Sequence, residues 1–394
     1  MFRRLIAVLL AATLGAAAVV SLVWAVAAWL GGRDSPGTVS AAIRLAPGDA
    51  ALWLRLAALG GPERGRAFEA AIERNPLDTS ARIGAGLEAE LRGDTALARR
   101  RLIEAAQRDR TFEPRWTLAG FAFRQGDSAG YRKWASQAAQ WCYTDPEPLF
   151  RMAWSLSAEA AANLSLFSDN PAVLARYTAF LATTGRVEEA LAAAALLLSR
   201  PGPGTNEAVL DTCDYLLAAG RGRQARQLWN HAVTAGLIPA APLDPERGAM
   251  VTNGAFHRPV PGRGFDWRIA SIPGVSFSRH PGGSGLRISL SGDQPEAADL
   301  LAQWIPVTPR RSYLLSVTYR ADVQGPDGFE WDVSGAGPVR LAAGPGTQNA
   351  SIVFRAAADA DTLRIVLRTR RQPGSVPPHG DLLLENVSAT PAVQ

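Results

Sequence analysis

The residues best suited to chemistry lie in the last third of the chain. Glu330 and Asp332 are carboxylates two apart, so on an extended strand they share one face. Around them stand flat aromatics, Trp267, Trp304, Trp331 and Tyr319, and polar groups, Asp266 and Gln303. Carboxylates that cleave a glycosidic bond must oppose each other across a cleft at about 5–10 Å. Two on one strand face do not, and no second carboxylate is placed opposite them by the sequence. The same set suits recognition instead, with an aromatic plane for the apolar face of a sugar and carboxylate or amide groups for its hydroxyls. There is no Gly-x-Ser-x-Gly elbow, phosphate loop or zinc-ligand spacing. The expectation is therefore a protein that binds without catalysing, with no cofactor and no metal.

The elements that carry these residues read as strands. "SYLLSVTYR", "FEWDVS" and "TLRIVLRT" alternate apolar and polar residues with a period of two. "LRISLSG", "LLAQWIPV", "ASIVFRA" and "DLLLENVSA" add to them, with Gly, Pro and Asp turns between. Eight to ten short strands predict an antiparallel β-sandwich of jelly-roll type over 250–391. Upstream, 39–237 has the period of short amphipathic helices, and 238–249 reads as a Pro-containing linker. Gly86 recurs as Gly120, Ala89 as Phe123 and Ala105 as Ala139, each 34 residues on. The turn "RGDTA" returns as "QGDSA", and Ala190 returns as Ala225. Small residues at Gly86, Gly120, Ala98 and Ala105 let paired helices approach closely, and Trp116, Leu102 and Trp229 fill the gaps.

Residues 1–33 form a third segment. After Arg3 and Arg4, an uncharged stretch runs from Leu5 to Leu30. At about 1.5 Å per residue its roughly 26 residues reach ~39 Å, beyond a ~30 Å hydrocarbon core and beyond the ~7–15 residues of a signal-peptide apolar region. This predicts an uncut transmembrane anchor, although Ala25-Val26-Ala27 could serve as a cleavage site. Arg3 and Arg4 favour the cytoplasmic side, sending the bulk of the chain across a bacterial inner membrane into the periplasm. Of 41 basic residues only Lys133 is a lysine, and a net charge of +5 without a dense basic run argues against nucleic acid. Cys142 and Cys213 lie in separate helical units and read as small buried residues, not a bridge.

Two resemblances follow from these residues. "EPRWTLAGFAFRQGD", with Trp116, Ala119, Gly120 and Phe123, resembles the tetratricopeptide-repeat family, with Arg132 and Ser136 as departures from its pattern. The resemblance implies an α-solenoid of about five repeats whose first helices line a groove for a protein partner, at Leu87, Glu90, Phe121, Arg124 and Asp214. "NGAF" from Asn253, "GFDW" from Gly264, "QWIPVTPRRSYLLS" from Gln303 and "GDLLLENVSA" from Gly380 resemble carbohydrate-binding-module and galactose-binding-like jelly rolls. That implies a polysaccharide ligand. Many such modules hold a calcium ion through a carboxylate where this chain has His257; Glu385 alone on the closing strand is not a site. Together they predict a membrane-anchored scaffold accessory to exopolysaccharide or envelope-polysaccharide synthesis and export. The alternatives are a periplasmic protein-assembly factor whose sandwich is only structural, and a degenerate glycan-processing enzyme.

Overall fold

The computed structural model describes residues 2–280, 282–324, 328–334, 336–371 and 373–392; the side chains of 2–5, 7, 8 and 345 are outside the description, among them Arg3 and Arg4, on which the expected orientation depends. The chain divides into two compact units, residues 1–167 and 168–394.

The first unit is helical: α1 (Phe2–Gly31), α2 (Pro36–Leu45), α3 (Ala50–Ala58), α4 (Arg64–Arg74), α5 (Thr79–Leu91), α6 (Thr95–Arg108), α7 (Phe112–Arg124), α8 (Ser128–Gln140), α9 (Glu147–Leu156) and α10 (Ala160–Phe167). Helices α3 and α4, α5 and α6, and α7 and α8 form antiparallel pairs. The recurring Gly-Asp turn explains their joints. Gly93 and Gly126 take positive φ (82° and 70°), which ends one helix cheaply. Asp94 and Asp127 then accept the Leu97 and Gly130 amides at 2.9 and 2.8 Å, satisfying orphan donors of the next helix. Gly86 is needed for packing, since a Cβ there would lie 2.7 Å from Leu102 Cγ. Gly120 is not; a Cβ there would meet only the tip of Arg124 on its own helix.

The second unit begins with two more pairs, α11 (Pro171–Thr183) with α12 (Val187–Ser199) and α13 (Thr205–Ala218) with α14 (Gly222–Thr234). The segment 238–249, expected as a linker, is tied down. Ile238 and Leu243 are buried with the α13–α14 core, and the Asn230 amide holds both backbone groups of Leu243 at 2.7 and 2.9 Å. Then come β1 (Arg268–Ile269), β2 (Val275–Arg279), β3 (Leu286–Leu290), β4 (Ala297–Pro306), β5 (Ser312–Gln324), β6 (Gly328–Val333), β7 (Val339–Arg340), β8 (Gly344–Arg355), β9 (Thr362–Arg370) and β10 (His379–Pro391).

Among the described residues all strand pairings are antiparallel, in two sheets ordered β1-β4-β9-β6-β7 and β2-β3-β10-β5-β8. Alternation along β5 sends Tyr313, Leu315, Val317 and Tyr319 inward, and along β6 it sends Phe329, Trp331 and Val333 inward. These side chains fill the space between the sheets. The architecture is thus an apolar N-terminal helix, a repeat-like helical array and an antiparallel sandwich.

Candidate functional site

The aromatics that suggest a sugar platform are core residues. Trp267 is 0% exposed, stacks on Phe256 with ring centroids 5.3 Å apart, and leans on Trp331 at 6.1 Å. Its Nε1 donates to the Asn253 carbonyl at 3.2 Å, a partner a buried indole needs. Trp331 and Tyr319 are equally enclosed, and the Tyr319 hydroxyl accepts the Ala342 amide at 3.0 Å. None of the three presents a face to a ligand. Trp304 points out of its sheet but packs, half-buried, against the α13–α14 core. Phe277, Trp304 and the buried rings account for every described aromatic of the strands, and none is fully exposed.

Two polar candidates are likewise structural. Gln303 is 0% exposed, and its Nε2 donates to the Thr252 carbonyl and hydroxyl at 3.0 and 2.9 Å. Asp266 is buried and accepts the Trp267 amide at 2.7 Å; burial pushes its carboxyl above the usual range despite that bond and despite nearby Arg258 and Arg268. Asp332 and Glu330 do sit on the outer face of their sheet. Asp332 pairs with Arg368 at 2.9 Å, and Arg368 also reaches Asp299 at 3.2 Å. Glu330 lies in register with Arg340 and Arg368, is 4% exposed, and its Oε1 has no hydrogen-bond partner among the described residues. Of the eight candidates, only Asp332 belongs to a surface grid of charge, with Asp299, Arg364 and Arg368. His257 is exposed, and Glu385 pairs with Arg320 at 2.6 Å.

The groove candidates divide in the same way. Phe121 is 2% exposed, in the α6–α7 core with Leu102 and Leu118. Glu90 and Arg124 hold each other through two bonds of 2.8 and 2.7 Å, a bidentate pair between neighbouring repeats that keeps the guanidinium above its ordinary pKa. Leu87 is half-buried. A cleft of about 700 Å³ lies nearby, lined by Trp53 of α3, Glu69 and Glu73 of α4, Glu88 of α5, and Arg92. Four of its carboxylates are ion-paired, Glu88 with Arg92 at 2.9 Å, Glu73 with Arg74 at 3.6 Å, Glu69 with Arg101 at 2.5 Å and Glu63 with Arg66 at 3.1 Å, while Asp94 caps α6. The sequence offers one signal for this cleft, the Glu88/Arg92 spacing of i,i+4 on the last turn of α5.

Asp214 is no groove residue. It accepts the Gly264 amide at 2.7 Å and pairs with Arg268, so it fastens α13 to the start of the sandwich. Asp211 pairs with Arg263 beside it. Phe265 meets Trp229 of α14 edge-on at 5.8 Å. Gly264, at φ 58°, lies under the Trp229 ring, where a Cβ would come within 2.4 Å of Cζ3. From the sandwich, Asp361 accepts the Arg223 amide at 2.8 Å, capping α14 where its own Arg221 does not. A second cavity of about 350 Å³ opens here, lined by Leu210, Trp229, Ile238, Pro259, Pro261 and Asp266. Phe265 and Trp304 thus extend the core of the last helical pair to the edge of the sandwich.

No protein-family model matches this chain, and no curated protein matches it significantly. Among solved structures, the helical part is similar to tetratricopeptide-repeat proteins and the sandwich to carbohydrate-binding modules. One is YrrB, described as a TPR protein with an unusual peptide-binding site; it is 15% identical over 51% of this chain and 93% of its own, with a TM-score of 0.25. Pseudomonas aeruginosa PilF is 16% identical over 47% of this chain and 90% of its own, with a TM-score of 0.27. A CBM4 module is 14% identical over 36% of this chain and 99% of its own, with a TM-score of 0.28.

Proposed function

We propose that the chain is a non-catalytic scaffold, anchored in a bacterial inner membrane by α1, that presents its helical array in the periplasm to a protein partner. The cleft beside Trp53 carries the reading. It combines an apolar wall with carboxylates, most of them held by neighbouring guanidiniums, a lining that offers donors and acceptors to a peptide backbone. In this reading the sandwich closes the C-terminal end of the array, consistent with its inward aromatics and with Phe265 and Trp304 packing on the α13–α14 core. The test is site-specific photo-crosslinking in cells from Ala70 in the cleft and from Asp359 on the sandwich. A discrete protein adduct from Ala70 alone, lost in Trp53→Ala, supports the cleft. Equal adducts from both positions remove it.

A second reading rests on the outer face of β4, β9 and β6. Asp299, Asp332, Arg364 and Arg368 form a planar charged grid suited to hydroxyl or carboxylate groups of a polysaccharide. It would join the partner and the glycan in one place, as an accessory of exopolysaccharide synthesis or export. Affinity electrophoresis of the full chain against a polysaccharide panel tests it. Retardation by one polymer that disappears in Arg364→Ala supports a glycan site; retardation unchanged in that variant, or none at all, leaves the protein-binding reading alone.

A further inference from the structure

Among the described side chains of the apolar helix α1, a buried stripe lies toward its C-terminal end. Described side chains from Leu9 to Leu22 are exposed, as lipid-facing positions are when no bilayer is present. From Val23 the pattern changes: Val23 and Leu30 are half-buried, and Ala27 and Gly31 are buried. Their spacing, i, i+4, i+7 and i+8, is one face of a helix. That face lies on the first repeat. Ala27 shares a core with Val39, Ala42 and Ile43 of α2 and Leu52 of α3. A Cβ on Gly31 would come within 2.4 Å of Leu52 Cδ2, so glycine sets the close approach.

The joint after α1 is short and fixed. Between Gly31 and Pro36, Arg55 of α3 donates to the Gly32 carbonyl at 3.1 Å and to Asp34 at 2.9 Å. The Arg33 guanidinium lies 4.0 Å from the centre of the exposed Trp29 ring. Trp24 is also exposed at this end, so two tryptophans and an arginine mark a water–lipid boundary. The lengths agree. From Leu5 to Val26, about 22 residues at about 1.5 Å reach roughly 33 Å, enough for a ~30 Å core without the packed last turn.

From this we infer that α1 has two roles: it stays in the mature protein as the N-terminal capping helix of the array, and it seats the first repeat directly on the bilayer surface with no flexible linker. The inference rests on reading α1 as a membrane span. A terminal repeat must have its apolar face covered. Removing the chain through Ala27 would strip α2 of part of that cover, leaving Val39 and Ala42, both 0% exposed here, open to water.

The test uses the full chain made in cells and extracted into lipid nanodiscs. The N-terminal peptide is identified by mass spectrometry, and amide exchange is followed in α2 and α3, with β3–β10 as a folded reference. Two variants break the seat from opposite sides: Gly31→Phe, which keeps the span apolar, and Val39→Ala, which leaves the span untouched. The expected result is an intact residue 2–27 segment, membrane retention in all three proteins, and at least tenfold faster exchange in α2 and α3 in both variants. A mature chain beginning at Ala28, with α2 as protected as α5–α8, overturns the inference and the span together. Membrane retention with unchanged exchange in both variants overturns the seat and leaves the span standing.

Discussion

The helical pairs α5–α8 and the sandwich bury their interiors by different means. In α5–α8 the enclosed positions are mostly alanine, among them Ala85, Ala98, Ala105, Ala119 and Ala135, and the helices come together because little stands between them. Their register is fixed at the rim by ion pairs between repeats, Glu69 with Arg101 and Glu90 with Arg124. The sandwich instead fills its interior with Trp267, Trp331, Tyr313 and Tyr319. Each such ring removes about 150–250 Å² from water. An aromatic residue therefore reports packing in the sandwich, whereas in the first unit it also reaches the surface, as Trp141 and Tyr143 do.

Substitutions sharpen that contrast. Trp331→Ala should cost about 3–5 kcal/mol, enough to unfold the sandwich while the first unit keeps its own transition in a denaturant melt. A loss below ~1 kcal/mol would mean the aromatic interior is dispensable. Gly264→Ala should cost about 1–3 kcal/mol, since its Cβ meets Trp229 and its φ disfavours alanine. Within the helices, Gly86→Ala should destabilise by about 1 kcal/mol through Leu102, whereas Gly120→Ala should be neutral or add up to ~1 kcal/mol by helix propensity. Equal effects at the two glycines would break the account of alanine-scale packing. Glu90→Gln should matter least, about 0.5 kcal/mol and less at high salt, because Arg124 is half exposed.

Acid should separate the regions too. The Gly130 amide bond holds Asp127 below the usual carboxylate range, aided by Arg99, so its contribution is present at neutral pH and is lost as pH falls through the lowered value. Asp266 runs the other way. Burial raises it, so the native state binds that proton more tightly than the unfolded state, and ionisation subtracts stability as pH rises through the raised value. Melts from roughly pH 3 to 7 should show Asp127→Asn removing an acid-labile part of the stability of the first unit, and Asp266→Asn lessening a loss in the sandwich toward neutral pH. The same slope in both variants would contradict the two environments.

The repeat offsets and strand alternation were legible in the sequence because both come from local periodicity. Gly-Asp turns, 33 residues apart, mark helix joints by themselves. Sites were less legible for the same reason. Alternation shows that Phe329, Trp331 and Val333 share a face, but the direction of that face depends on which strands pair, and pairing is not local. Asp214 was misplaced because its partners, Gly264 and Arg268, lie far along the chain in the sandwich. The cleft at Trp53 is not legible in the sequence because its carboxylates come from two neighbouring helical pairs.

The cap that Asp361 gives α14 lies 138 residues downstream of the amide it accepts. At about 5–20 residues per second, the ribosome delivers that carboxylate roughly 7–28 s after Arg223 has been made. For that interval the final helix has an unfinished first turn, and Trp229 lacks Phe265 until the start of the sandwich arrives. The last repeat thus matures after its successor in the chain, so assembly at this end runs backwards from the direction of synthesis.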